Sequence, residues 1–163
     1  MLKKLKVGWF SFSCSEDSTI IFTELLNSHY QKWKNEIDFR SILVMQKKED
    51  VDNLDVAFIE GAITSVLQEE KLKSIRRKAK KLVAVGSCAI IGMPSVQRNM
   101  FDEKIKSELS PFLIRFAYLD KVKKISDVVM VDDMVPGCPM NEEVFLKVIN
   151  KYLCEFGITN KQK

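Results

Sequence analysis

Five short apolar runs, separated by stretches with helical spacing, constrain this chain more than any other feature. Residues 6–12, 37–44, 54–59, 82–86 and 128–134 are rich in Val, Ile, Leu and Phe and read as strands. They lack the alternation of a half-solvated strand, so they are expected in a sheet covered on both faces. Helical segments are expected at 19–33, 66–80, 101–109 and 141–156. In the first of these, Ile20, Phe22, Leu25 and Leu26 suggest the apolar face, with Asp17 or Ser18 as the cap, and Pro139 stands near the first turn of the last. Residues 13–18, 46–52 and 87–99 read as connections, 110–126 as helix then turn, and 159–163 as a frayed end. Strands alternating with helices imply an α/β fold: a doubly wound parallel sheet in three layers. The length of 163 residues is enough for one domain with a full core, and no repeat or linker divides residues 1–163.

In such a fold every strand of the sheet points its carboxyl end the same way, and ligands bind outside those ends where the strand order reverses. Cys14, Glu60, Cys88 and Cys138 each follow or end an expected strand, so the topology alone gathers them on one edge. Thiols arriving from separate loops suit an iron–sulfur cluster, which is normally held by four thiolates. Gly86 and Gly137 would let the backbone come close to a bulky group, and amides at the helix starts near Ser18 and after Pro139 would favour an anion. Only three of the thiols are so placed. Asp17 lies three positions after Cys14, giving C-x-x-D, and offers a harder oxygen donor as the fourth ligand. Glu16, water or a three-iron cluster are the alternatives. Glu60 reads as a surface cap, a structural group or a proton-transfer group. The plain alternative is that the cysteines are small buried hydrophobes. Cys154, inside the closing helix, reads as core, and His29 as solvated.

The net charge of +4 comes from dispersed lysines without interleaved aromatics, which argues against a nucleic-acid partner. No apolar run approaches the roughly 18 residues of a membrane span. The opening Met1-Leu2-Lys3-Lys4-Leu5-Lys6 and the following apolar run imitate a signal peptide, but Ser-Phe-Ser before Cys14 is a poor cleavage context. A buried strand in a cytoplasmic protein explains them better, and four cysteines in a reducing compartment argue against disulfides.

Four motifs carry a resemblance that covers nearly the whole chain: Ser13-Cys14-Ser15-Glu16-Asp17, Phe58-Ile59-Glu60-Gly61-Ala62-Ile63, Val85-Gly86-Ser87-Cys88-Ala89-Ile90 and Val135-Pro136-Gly137-Cys138-Pro139. In this order they resemble the small, electron-transferring subunit of nickel–iron hydrogenases, which shares its fold with the cluster-bearing 20-kDa-type subunit of complex I. Met93-Pro94-Ser95-Val96-Gln97-Arg98-Asn99 looks most like the soluble cytoplasmic hydrogenases that exchange electrons with NAD(P) or sulfur.

The resemblance implies a flavodoxin-like fold and a proximal 4Fe-4S cluster on Cys14, Cys88 and Cys138. The family's remaining cysteine falls on Asp17, which leaves 3Fe-4S as the alternative, and Glu60 matches the glutamate of an E-G motif. Implied partners are a large subunit with the nickel–iron centre, covering the strand-end edge, and further iron–sulfur or flavin subunits. No group in this chain would itself activate hydrogen. An extra C-terminal domain, a twin-arginine leader and the adjacent cysteines of the complex I version are not seen, which implies a minimal cytoplasmic form. An apolar patch near Met93, Pro94 and Met140 is expected on the isolated chain. The competing readings are the cluster-bearing subunit of a complex I-like or membrane-bound redox module, and a cluster-free flavodoxin-like binding module.

Overall fold

The computed structural model describes residues 3–43 and 51–159. Residue 44 of the second expected strand, most of the expected connection 46–52 and residues 160–163 of the tail lie outside them. The strands are β1 (Leu5–Ser11), β2 (Ile37–Ile42), β3 (Leu54–Glu60), β4 (Ile63–Ser65), β5 (Ala79–Val85), β6 (Tyr118–Lys123) and β7 (Asp133–Val135). The helices are α1 (Asp17–Ser28), α2 (Tyr30–Glu36), α3 (Val66–Lys78), α4 (Gly86–Ile91), α5 (Glu103–Arg115) and α6 (Glu142–Glu155).

The expected parallel sheet is present, in the order β2-β1-β3-β5-β7. Every residue of β3, the central strand, is buried. Trp9, Phe58, Val83 and Val85 point to one face, where Phe22 of α1, Trp33 of α2 and Phe145 of α6 meet them. Phe10, Ala57, Ile59 and Leu82 point to the other, against Leu72 and Ile75 of α3. This is the flavodoxin-like three-layer arrangement. An aromatic stack sits at the first face: Trp9 lies flat on Phe22 at 4.4 Å, and Phe145 meets Phe58 at 5.2 Å. From β1 the chain passes to β2 on one side and then to β3 on the other. The order therefore reverses at β1 and β3, and their carboxyl ends form the crevice of such sheets.

Several expectations are corrected. The expected helix 19–33 is two helices broken at His29, whose backbone N–H donates to Leu25 O at 2.9 Å and whose ring stacks on Trp33 at 5.0 Å. His29 is therefore half-buried rather than solvated, and the break lets Trp33 enter the core. Neither Asp17 nor Ser18 is the cap of α1. Glu16 holds that position with φ of 62° and makes no side-chain capping bond. Ile20 is 56 % exposed, on the outer side of α1. The connection 87–99 is largely helical, as α4 and a 3-10 turn over Ser95–Met100.

Helix α5 runs on through Pro111, and β6 pairs antiparallel with β4 as a small second sheet. Of the expected strand 128–134 only Asp133 and Met134 belong to β7, which runs on to Val135; just before it the Asp132 carboxylate accepts the Leu82 N–H while the Asp132 N–H donates to Leu82 O, both at 2.9 Å. Cys154 is half-buried at the rim, its sulfur 3.4 Å from the Thr159 hydroxyl, rather than core. Met140 is only 3 % exposed, so it takes no part in the expected patch; Phe112, Ile114 and Phe116, on and beside α5, are among the exposed apolar side chains.

One buried-edge cluster makes a pH prediction. Asp133 of β7 accepts hydrogen bonds from Lys151 at 2.7 Å and from the Tyr152 hydroxyl, joining the sheet edge to α6. Burial pushes the Asp133 carboxyl up, but the bonds from Lys151 and Tyr152 outweigh it and hold the carboxyl below its ordinary range. A carboxyl with a lowered folded-state pKa stabilises the fold above its unfolded pKa, and that contribution is lost as pH falls through the folded value. Asp133→Asn should therefore lower stability near neutrality by roughly 1–2 kcal/mol, mostly through the Tyr152 bond since Lys151 is half exposed. It should also flatten the stability loss below about pH 4. Urea denaturation of both proteins at pH 7 and pH 3 checks this; an equal deficit at both pH values would contradict it.

Candidate functional site

The carboxyl ends of β1, β3, β5 and β7 open into a small cleft lined by Cys14, Ser15, Asp17, Ser18, Glu60, Val85, Gly86, Ser87, Cys88, Gly137 and Cys138. Cys14, Glu60, Cys88 and Cys138 thus share one space, as the topology led one to expect, and Asp17 lines it with them. Glu16 does not line it; its side chain is exposed. Cys154 is in α6 and not in the cleft. Cys14 is half-buried, Cys88 buried and Cys138 exposed, so the cleft is deep on one side and open on the other. Among the described residues no lysine, arginine or histidine lines it.

Each segment is held by bonds that the sequence motifs do not announce. Beyond β1 the chain stays paired with β3: Phe12 N–H donates to Glu60 O at 2.8 Å, and Ser13 and Ala62 exchange backbone bonds of 3.1 and 2.9 Å. The Ser13 hydroxyl is 2.7 Å from that of Thr64, and the Gln68 amide donates to Ser13 at 3.1 Å. Cys14 is thereby brought beside Cys88, Ala62 and Val122 of β6 in a small apolar cluster. Cys88 lies in the first turn of α4 rather than in a loop. Gly86, with φ of 80°, turns the chain from β5 into this helix, and a Cβ there would stand 3.1 Å from the Ser18 hydroxyl oxygen. Gly137, with φ of 117°, has room for no side chain at all: a Cβ would lie 2.4 Å from Pro139 O. Its own carbonyl accepts the Ser87 N–H at 2.8 Å, tying the Cys138 segment to the Cys88 segment.

Glu60 is 3 % exposed, so it is not a surface cap. Its Oε1 accepts the Ser18 N–H at 3.0 Å and its Oε2 the Thr19 hydroxyl at 2.6 Å, while the Trp9 indole N–H donates to the Thr19 oxygen at 2.8 Å. The carboxylate of β3 does for α1 what its own N-cap residue does not, satisfying a free amide of the first turn. Burial pushes the Glu60 pKa up, and the Thr19 and Ser18 hydrogen bonds hold back part of that rise. Asp17 is partly exposed, and its Oδ2 accepts the Ser15 hydroxyl at 2.7 Å.

The cleft disfavours thiolates. Burial, then the charge of Glu60, pushes the Cys14 pKa up to about 12, and burial, then Cys138, raises that of Cys88. Protonated thiols are poor nucleophiles, so burial works against nucleophilic chemistry at Cys14 and Cys88. A bound cationic metal would reverse the balance, since a coordinated thiol is deprotonated outright. Among the described residues no three Cys, His, Asp or Glu side chains converge as ligands of one metal ion. The donors instead surround a common space from three directions, which suits a group with several irons at its corners. Sequence reasoning missed Ser18 as a site residue, and Thr19, Trp9, Thr64 and Gln68 altogether. Only the closeness of Ser18 and Thr19 to Asp17 could have drawn attention to any of them.

Among the described residues no helix is long and apolar enough to cross a membrane. One subunit of the F420-non-reducing hydrogenase of Methanothermobacter marburgensis is 29% identical over 133 residues, 70% of this chain and 42% of that protein. The iron-sulfur subunit of the F420-non-reducing hydrogenase of Archaeoglobus profundus is 28% identical over 120 residues, 60% of this chain and 37% of that protein. The chain thus spans less than half the length of these relatives. A chain of the crystal structure of an NAD+-reducing nickel–iron hydrogenase in the H2-reduced state superposes with a TM-score of 0.78 at 24% identity, covering 94% of this chain and 93% of that one, a likeness of fold. Residues 14–152, from the first cleft cysteine to α6, match the 20-kDa subunit of NADH ubiquinone oxidoreductase, and the chain belongs to that family.

Proposed function

We propose that this chain is the electron-transfer subunit of a cytoplasmic nickel–iron hydrogenase, with residues 1–163 acting as one iron–sulfur domain. The observation that carries the reading is the cleft: three cysteines from three strand ends line one space at the crevice of a doubly wound sheet. The hydrogenase subunit names of the relatives, one of them an iron-sulfur subunit, support it. When bound, a 4Fe-4S cluster supplies a one-electron relay. Cys14, Cys88 and Cys138 would hold it, and Asp17, on the cleft wall, would offer an oxygen to the remaining position. The partners in this reading are a large subunit with the nickel–iron centre, lying over the open Cys138 side, and further iron–sulfur or flavin subunits. Phe112, Ile114 and Phe116, each more than half exposed, fit a chain that works inside an assembly. The family description favours a second reading, a subunit of a complex I-like module. Co-purifying nickel would favour the first reading, and quinone-linked activity in a membrane assembly the second.

Anaerobic purification followed by iron, acid-labile sulfide and electron paramagnetic resonance tests the proposal. Stoichiometric iron and sulfide are expected, and a chain lacking both would overturn it. Asp17→Cys should give a cluster that is more stable to oxygen and has a changed midpoint potential, because a soft thiolate replaces a hard carboxylate. Unchanged spectra and potential in that variant would remove Asp17 from the ligand set.

A further inference from the structure

We infer that Ser18 is the positioning residue that fixes the three cysteine-bearing segments relative to one another. The inference rests on the proposed cluster-binding role and names a residue for which the family motifs assign no part. Ser18 is 3 % exposed, in the first turn of α1. Its backbone N–H donates to Glu60 Oε1 at 3.0 Å, anchoring the segment that bears Cys14 and Asp17 to the end of β3. Its hydroxyl oxygen accepts the Met140 N–H at 3.2 Å, two residues after Cys138. The same oxygen stands 3.1 Å from the place a Cβ on Gly86 would take, two residues before Cys88. Ser18, itself on the Cys14 segment, thus bonds the Cys138 segment through its hydroxyl and stands beside the glycine that leads into the Cys88 segment.

The pattern of bonds gives this contact its weight. The Cys88 and Cys138 segments are joined to each other through Ser87, which donates to Gly137 O from both its N–H and its hydroxyl, at 2.8 and 3.2 Å. The Cys14 segment is joined to β3 and β4 through Glu60, Ala62 and Thr64. Besides the β3–β5 ladder, which ends with Glu60 opposite Val85, the Ser18 hydroxyl ties the Cys14 segment directly to the Cys138 segment, and it reaches the peptide of Met140 rather than a side chain that can swing away. Serine suits the position: its hydroxyl fits beside Gly86, where a Cβ would crowd it at 3.1 Å, and a residue without a hydroxyl leaves the Met140 N–H buried without an acceptor. The distances among the three sulfurs, and hence the strain and exposure of any group they bind, depend on that link. Outer partners of this kind tune both metal affinity and potential.

The test uses the anaerobically purified holoprotein with the subunits that accompany it, as wild type, Ser18→Ala and Ser18→Thr, with Ser28→Ala on the exposed side of α1 as control. Wild-type iron and sulfide are measured first; their absence overturns the cluster reading itself and is seen before any variant is compared. Ser18→Ala should release iron to a chelator roughly tenfold faster, shift the midpoint potential and alter the resonance line shape. Ser18→Thr, which keeps the hydroxyl, should move at least partway back. Amide exchange at Met140 in the iron-free chain supplies a readout independent of any cluster, and should speed up in Ser18→Ala only. Wild-type release rate, potential and line shape in Ser18→Ala would overturn the inference. So would equal damage in the Ala and Thr variants with Met140 exchange unchanged, since that pattern marks a general packing defect.

Discussion

Replacing Cys88 with serine should empty the cleft of iron while leaving the fold in place. The Cys88 side chain is 8 % exposed and sits in α4, where Ala89 behind it is 1 % exposed and packs on the core. Serine is close to cysteine in shape, so α4 and β5 lose little packing, and a change in melting temperature of a few degrees at most is expected. The chemistry changes far more. A serine hydroxyl is a hard donor that stays protonated near neutral pH, whereas the irons of a cluster select soft thiolate sulfur. With Cys88 gone, the deep side of the cleft offers no sulfur, and Cys14 and the exposed Cys138 are left alone. Iron and acid-labile sulfide should fall by about tenfold or more and the visible absorption should disappear. Cys154→Ser, altered at the far end of α6, should match wild type in all three. Full iron content in Cys88→Ser would sink the ligand assignment, and equal loss in both variants would point to damage unrelated to the cleft.

The second large effect is on stability. Gly137→Ala should destabilise the chain by roughly 2–4 kcal/mol, adding strain at a φ that side chains rarely adopt to overpacking. The added Cβ would meet Pro139 O at 2.4 Å and Asn141 N at 2.9 Å, both backbone atoms that cannot rotate aside. Asn141 is the N-cap of α6, with its side chain accepting the Val144 N–H, so a displaced Asn141 also loosens the start of the helix that carries Phe145 into the aromatic stack. For a chain of this length the melting temperature should drop by about 5–10 °C. Gly157→Ala is the natural comparison. It also has a positive φ, of 70°, but a Cβ there meets nothing within 4 Å, so only about 1 kcal/mol of backbone strain is expected. A Gly137→Ala protein as stable as the Gly157→Ala protein would show that the Cys138 turn yields easily, contrary to the crowding described.

How much was legible from sequence varies with the physics of each element. β1, β3 and β5 were readable because a strand covered on both faces must be apolar throughout, and their boundaries fell within a few residues of expectation. β6 was not: of Tyr118–Lys123 only Val122 is buried, and its pairing with β4 is a tertiary fact. The run 128–134 misled because Val128, Val129 and Val131 are apolar for a different reason, packing from outside the sheet against the α3 side. The gathering of Cys14, Cys88 and Cys138 followed from topology, since all strands of the parallel sheet end on the same side. The contacts that hold them did not follow. Nothing in the spacing of Ser18, Gln68 or Trp9 foretells that they meet Met140, Ser13 and Thr19, because those partners are far apart along the chain. The exposure of Ile20 was missed because helical spacing alone gives a face without saying which neighbour it meets.

The lining of the cleft has an energetic consequence for the proposed role. Among the described residues it carries the carboxylates of Asp17 and Glu60 and no basic side chain. Every added electron brings negative charge into surroundings that already repel it, and the buried side has little water to soften that repulsion. Such a setting drives a redox couple toward low potential and makes its reduced form a willing donor. The same lining would make the cleft an electron source that empties readily, with the direction of flow left to whichever neighbour offers the more positive environment.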